Sequence, residues 1–405
     1  MSSRALAPLR VRSFKPLAAS YTINETGDWL GLVALSVLVF NETDSALALT
    51  GLFLAANLVP ALLAPLLTAR IDRVAVHRAL PAIYLVEGAI FIALALLADS
   101  FSLAAVLVLA LADGVLLLTA RALSRAAVAT ALEPHGMLRE GNAIVNVGFA
   151  GATAVGPALG GIVVAGLGVR EALLLDAASF AFIAALLTLA RGIPSARPDP
   201  EPLLERVRAG VGYVWRDAYL RTLVAGQAAA FVFFATVLPI EVVYAKESLG
   251  TDERGFGLLL AAWGSGIFVG SLVFAGLRGR QLGVIAASTA LVGLAYLGMA
   301  AAGTLLVACA LAVVGGAGNG VQWVALVTAV QEATDADLQA RVVGLVESAG
   351  AAMPGLGFLL GGAVAALAGP RAAFVVAGAG VLAVLAVAAL AMRAAPRPDR
   401  APAAV

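Results

Sequence analysis

The stretch Ala82–Ala98 reads AIYLVEGAIFIALALLA and carries a single charge, Glu87. It forms the centre of a predicted helix over 79–98, long enough to cross a hydrocarbon core of about 30 Å. Comparable runs recur from one end of the sequence to the other. Of 405 residues 61% are hydrophobic and 13% charged, against about 25% charged in soluble proteins. Mean hydropathy is +0.98. A soluble domain of this size needs more charge on its surface, so the composition reads as a membrane protein.

Several chemistries are excluded at once. The net charge of +1 leaves no basic stripe for nucleic acid. The only lysines are Lys15 and Lys246, and neither sits in a phosphate-binding loop. The one cysteine, Cys309, forbids an internal disulfide, and with His77 and His135 it makes no metal cluster. No nucleophile elbow is present, and Gly355–Gly357 and Gly378–Gly380 lie inside apolar runs. The chain is read as a non-enzyme with no cofactor and no metal. The run after the basic stretch Met1–Lys15 is too long for a signal-peptide core, so no cleaved signal is expected.

Windows of about 19 residues give twelve predicted helices: 17–40, 46–68, 79–98, 102–124, 141–166, 171–190, 219–243, 255–276, 281–301, 304–330, 341–367 and 371–393. With this map, 22 of the 26 basic residues, Arg121 among them, fall on the side that also holds both termini. Arg170, Lys246, Arg254 and Arg371 fall on the other. The asymmetry predicts cytoplasmic termini in a cell membrane.

The sequence divides near its middle. Residues 1–190 and 219–405 are each expected to form a six-helix bundle, joined by a linker over 191–218. The linker opens with Pro194, Pro198, Pro200 and Pro202. It continues as an amphipathic helix that is expected to lie on the membrane surface, with Trp215 and Arg216 at headgroup level. A repeat supports the division: Leu159-Gly160-Gly161 followed by Gly168-Val169-Arg170 returns as Leu360-Gly361-Gly362 followed by Gly369-Pro370-Arg371, 201 residues later. Parallel repeats of this kind occur in secondary transporters.

The segment Thr68–Leu80, with Asp72, Arg73 and Arg78, resembles the loop signature of the major facilitator superfamily, although Thr68 and Ala75 replace its glycines. The resemblance implies that Asp72, Arg73 and Arg78 latch the halves on the cytoplasmic side. Asp72 is expected near the start of helix 11 and Arg341. Gly156-Pro157-Ala158-Leu159-Gly160-Gly161 resembles the motif of the superfamily's exporters, in which Gly156, Pro157, Gly160 and Gly161 allow close packing and a bend. Gly27-Asp28-Trp29 and Thr43–Ala48 resemble the macrolide-efflux and enterobactin-exporter branch. The resemblance implies an all-α fold of twelve spans in two pseudo-symmetric bundles, with helices 1, 4, 7 and 10 around a central cavity; the chain is expected to act as a monomer.

Ionisable groups deep in the bilayer are costly and point to function. Tyr21, Asn24, Glu25 and Asp28 follow one another at i, i+3, i+4 and i+7, one face of helix 1. Asp28 and Asp113 fall near mid-membrane and are expected to carry protons, with Arg121 a structural neutraliser elsewhere on helix 4. Gln227, Asn319, Gln322 and Trp323 are expected in the cavity, with Phe231, Phe233 and Phe234 as aromatic walls. Glu87, Asp176, Glu241 and Glu347 read as structural, Glu87 on a peripheral helix. Together these readings predict a proton-coupled exporter of small hydrophobic or amphipathic molecules. An uptake carrier or lipid transporter of the same fold, or a non-transporting scaffold or sensor, remain alternatives.

Overall fold

The computed structural model describes residues 6–71, 75–190, 192–194, 203–274, 277, 281–335 and 338–394. Twelve helices are long and apolar enough to cross a membrane, and no strand occurs among the described residues. In chain order they are span 1 (Phe14–Thr43), span 2 (Ala46–Ala64), span 3 (Val76–Leu97), span 4 (Leu103–His135), span 5 (Leu138–Leu167), span 6 (Val169–Leu189), span 7 (Ala218–Ser248), span 8 (Glu253–Phe274), span 9 (Gln281–Ala301), span 10 (Leu305–Ala333), span 11 (Arg341–Ala368) and span 12 (Pro370–Arg393). Their order agrees with the hydropathy reading. Span 4 runs well past the expected residue 124, because Ala126–Leu132 favours helix and continues it beyond the apolar core.

Local chemistry fixes where spans begin. Ser45, Ser102 and Thr304 each accept a hydrogen bond from the backbone N–H three residues on, capping spans 2, 4 and 10. Asp217 caps span 7 through the N–H groups of Tyr219 and Leu220, at 2.8 and 3.0 Å. Span 5 ends at Gly168 (φ +109°) and span 11 at Gly369 (φ +85°). Both sit in the left-handed region that glycine tolerates, and the next helix starts on the following residue. The sequence repeat is therefore a repeat of structure.

The packing follows the same symmetry. Span 1 packs on spans 5 and 6, and span 7 packs on spans 11 and 12. Span 3 packs on 6 as span 9 packs on 12, and span 2 on 4 as span 8 on 10. The main interfaces between the halves are span 5 on span 8 and span 11 on span 2, with span 7 also touching spans 1 and 2. In the first, a Cβ placed on Gly161 would lie 3.0 Å from the Gly257 Cα. In the second, the Thr50 hydroxyl donates to the Phe358 carbonyl at 3.4 Å and crowds Gly362. Small residues let these backbones touch.

Pro157 does not interrupt span 5, which is helical from Leu138 to Leu167. Span 7 is interrupted instead: its α-helix stops at Ala235 and resumes at Glu241 after a short 3-10 turn through Pro239, and span 11 breaks at Met353, before Pro354. The Phe234 carbonyl, just before the span 7 break, accepts a 3.3 Å bond from the Tyr296 hydroxyl of span 9.

The linker contains the expected helix, Leu203–Arg216. Part of its apolar side is taken up by protein: Val214 is fully buried with Leu220, Val342 and Val346. The Asp335 N–H donates to the Tyr213 hydroxyl at 3.2 Å, tying the linker to the turn after span 10. Trp215 and Arg216 remain exposed.

Candidate functional site

Span 1 brings its polar stripe to span 4. One guanidinium nitrogen of Arg121 lies 2.8 Å from a Glu25 carboxylate oxygen and 3.1 Å from an Asp28 oxygen. The Asn24 amide donates to the same Asp28 oxygen at 3.0 Å. Glu25 is sealed, with 2% of its side chain exposed, whereas Asp28 shows 17% and Arg121 31%. The charge of Arg125, one turn further along span 4, also acts on Tyr21 and Glu25. A single guanidinium thus serves two carboxylates at the edge of the N-terminal bundle.

This placement corrects the reading of Arg121. It is not a neutraliser elsewhere on its helix, nor one of the bases of the inner loops, but the direct partner of Glu25 and Asp28. Without it 21 of 26 basic residues remain on the expected inner side. Glu87 is fully buried on span 3, which packs on spans 4 and 6 of its own bundle, and neither carboxylate oxygen has a hydrogen-bond partner. Asp176 is also fully buried and abuts Gly27 and Gly31 of span 1. One of its oxygens accepts from Ser179 at 3.1 Å, while the other has no partner. Asp113 is half-buried with one oxygen unpartnered.

The C-terminal bundle is built differently. The Gln322 amide donates to the Gln227 amide oxygen, joining spans 10 and 7, and both residues are buried. The rings of Phe231 and Trp323 meet at 6.1 Å between centroids. Phe234 packs into a core with Tyr296 and Trp263, and Phe233 lies against Gly380 of span 12. Of the three phenylalanines only Phe231 joins Trp323, so the expected aromatic wall is one pair. Asn319 is half-buried and makes no side-chain hydrogen bond among the described residues. Glu241 is buried just after the span 7 break, with one oxygen unpartnered.

Between the halves, Lys246 at the end of span 7 donates to Asn41 of span 1 and to Glu253 of span 8, each at 2.7 Å. Its ammonium also lies 6.0 Å from the Phe40 ring centroid. Of the proposed latch, Asp72 and Arg73 lie outside the described residues, and Arg78 is exposed at the start of span 3. Gly156 and Gly160 pack against Trp29, Leu30 and Val33 of span 1, while Gly161 meets span 8. The motif therefore works by close packing on two sides.

No group of three or more His, Cys, Asp or Glu side chains among the described residues is arranged to hold a metal ion.

Comparison with known proteins agrees with this architecture. The structure superposes on a bacterial homologue of the human lysosomal transporter Spinster, solved inward-facing and unoccupied, with a TM-score of 0.71 at 14% identity over 100% of both chains. It superposes on the nucleoside transporter NupG with a TM-score of 0.72 at 11% identity, over 94% of this chain and 99% of that one. The human organic anion transporter MFSD10 gives 0.61 at 18% identity, over 93% and 99%. At these identities the likeness is one of fold. The Multidrug efflux pump Tap of Mycobacterium tuberculosis (strain ATCC 25618 / H37Rv) is 31% identical over 242 residues, 57% of this chain. That match spans 56% of the relative, so the chain covers about half the length of the curated relatives it matches. Residues 3–403 match a single family, described as transmembrane secretion effector. The chain belongs to that family, a branch of the major facilitator transporters, which are not enzymes.

Proposed function

We propose that this chain is a proton-coupled exporter of small hydrophobic or amphipathic molecules, working by alternating access of two six-helix bundles in a cell membrane. The carrying observation is the sharing of Arg121 between Glu25 and Asp28. Two carboxylates held by one cation form a set whose balance a single proton changes. With both ionised, the guanidinium is anchored to span 1. A proton on Asp28 removes one of its acceptors and loosens span 4 from span 1. A cationic or hydrogen-bonding substrate competes for the same oxygens, so proton and substrate are bound in alternation.

The remaining features fit this cycle. Gln227, Gln322 and the Phe231–Trp323 pair supply hydrogen-bonding and aromatic surface for an amphipathic molecule. Lys246 with Asn41 and Glu253, and the span 5–8 and span 2–11 contacts, hold the halves together at the end remote from the predicted cytoplasmic loops. In this reading the substrate path opens to the cytoplasm, and the bundles rock about the linker. Similarity to a protein described as a multidrug efflux pump supports export over uptake.

The test is a compound-susceptibility panel in an efflux-deficient host, with ethidium efflux followed by fluorescence, with and without an ionophore that collapses the proton gradient. Wild type should raise tolerance and extrude ethidium only while the gradient stands. Asp28→Asn should insert normally and give no gradient-dependent extrusion. Undiminished extrusion by Asp28→Asn, or by wild type after the ionophore, contradicts the proposal.

A further inference from the structure

Behind the Arg121 cluster the N-terminal bundle holds a second set of acids that the cycle above does not use. Glu87 lies on span 3, on the face it shares with Tyr84 and Phe91 at i−3 and i+4. Phe91 and Tyr84 both pack on Phe180 of span 6. This packing closes Glu87 away from solvent, at 0% exposure. Span 3 packs on spans 4 and 6, which carry Asp113, Arg121 and Asp176, and the field of these groups and of Asp28 on span 1 reaches Glu87.

A purely structural role explains this arrangement poorly. Buried polar side chains are nearly always bonded, and an unpartnered carboxylate in a bilayer-spanning bundle costs several kcal/mol. A glutamine or methionine would fill the same volume without that cost. Glu87 bonds through neither oxygen, and Asp113 and Asp176 each keep one oxygen free. The four acids do not converge as metal ligands, which leaves the proton as the ligand their chemistry suits.

We propose that Glu87, flanked by Asp113 and Asp176, is a second proton-binding site, buried in the N-terminal bundle behind the Arg121 cluster and out of reach of substrate. The proposal rests on the proton-coupled reading and deepens it. Binding at Glu87 forms a neutral carboxylic acid from a carboxylate and a proton taken from water, and release reverses it. No other reactant is needed.

The test is infrared difference spectroscopy of the full chain in liposomes during a pH titration, reading the carbonyl stretch of protonated carboxyl groups. Wild type should show a carboxylic-acid band that fades as pH rises. Glu87→Gln should remove one component of it, while Asp28→Asn and Glu25→Gln leave that component in place. A Glu87→Gln spectrum identical to wild type overturns the proposal, as does a Glu87 component that never titrates. If Glu87→Gln fails to insert, Glu87→Asp, which keeps a carboxyl group, answers the same question. There the titrating component must move in frequency or midpoint, and a spectrum identical to wild type overturns the proposal. The readout needs neither substrate nor transport. Gradient-independent efflux with a titrating Glu87 band removes the coupling reading and keeps the site. A silent band with gradient-dependent efflux removes the site alone.

Discussion

The two bundles share a backbone plan and differ in what they bury. The N-terminal bundle encloses Glu25, Asp28, Glu87, Asp113 and Asp176 around Arg121. In the C-terminal bundle Glu241 is the one buried carboxylate among the described residues, and its interior polarity is the neutral Gln227–Gln322 pair beside aromatic rings. The repeat that pairs Gly168 with Gly369, and span 5 on 8 with span 11 on 2, holds the frame constant. The contrast therefore lies in side chains. One half is equipped to respond to charge and the other to fit shape and hydrogen bonding. A transporter that couples two ligands gains from such a division, because each half can be altered without rebuilding the other.

The largest break in this comparison should come from Arg121→Ala. It leaves Glu25 and Asp28 without the cation they share, with Arg125 a turn further away, and removing one partner of a buried ion pair costs about 3–5 kcal/mol. A markedly lowered melting temperature in detergent is expected, with no ethidium efflux. Adding Glu25→Gln and Asp28→Asn should restore the stability but not the gradient-driven transport. If Arg121→Ala melts like wild type, the charged half is not organised around this residue.

Gly257→Val tests the frame that both halves share. Its side chain would collide with the backbone at Pro157 and Gly161. Overpacking of this kind costs about 1–3 kcal/mol, which shifts a two-state population by roughly five- to 150-fold. Spin-label distances between the bundles should move toward the state in which spans 5 and 8 separate, and transport should fall in proportion.

Gln227→Leu sharpens the contrast from the C-terminal side. Alone it leaves Gln322 buried without its partner, at a cost of about 1–3 kcal/mol. Combined with Gln322→Leu it should be close to neutral for stability. The double variant should change which compounds are tolerated in a susceptibility panel while keeping ionophore sensitivity. Loss of gradient dependence in the double variant would erase the proposed division.

The smallest effect is expected at the clamp between the halves. Lys246→Met removes contacts to Asn41 and Glu253 that are partly exposed, and such pairs contribute about 1 kcal/mol or less. A shift of at most about fivefold in the same spin-label populations should result.

Much of the frame could be read from residue order. Twelve apolar windows give twelve spans, and the Gly-Gly repeat marks equivalent helices before any contact is known. The stripe Tyr21, Asn24, Glu25 and Asp28 was visible because helical spacing alone sets which side chains share a face. Partners across the bundle were not. Arg121 lies 93 residues from Asp28 and 96 from Glu25, and no local periodicity joins them. Its presence one turn from Arg125, flanked by Leu116–Leu118 and Leu123, was the available signal, since an arginine within an apolar run needs an acid. Glu87 reads as structural from sequence because a single charge in Ala82–Ala98 does not reveal which side of its helix is buried. The glycines Gly27 and Gly31, four apart, hinted at a close neighbour on span 1, but only the fold identifies it as Asp176.

The central claim is that coupling resides in the charged interior of the N-terminal bundle. The most direct measurement compares two modes of ethidium movement in proteoliposomes: accumulation driven by an imposed pH gradient, and exchange at equal pH on both sides. Asp28→Asn should abolish the accumulation and retain measurable exchange, because Glu25 and the substituted amide oxygen still accept the substrate when the proton is uncoupled. Gradient-driven accumulation by Asp28→Asn at the wild-type rate would contradict the account.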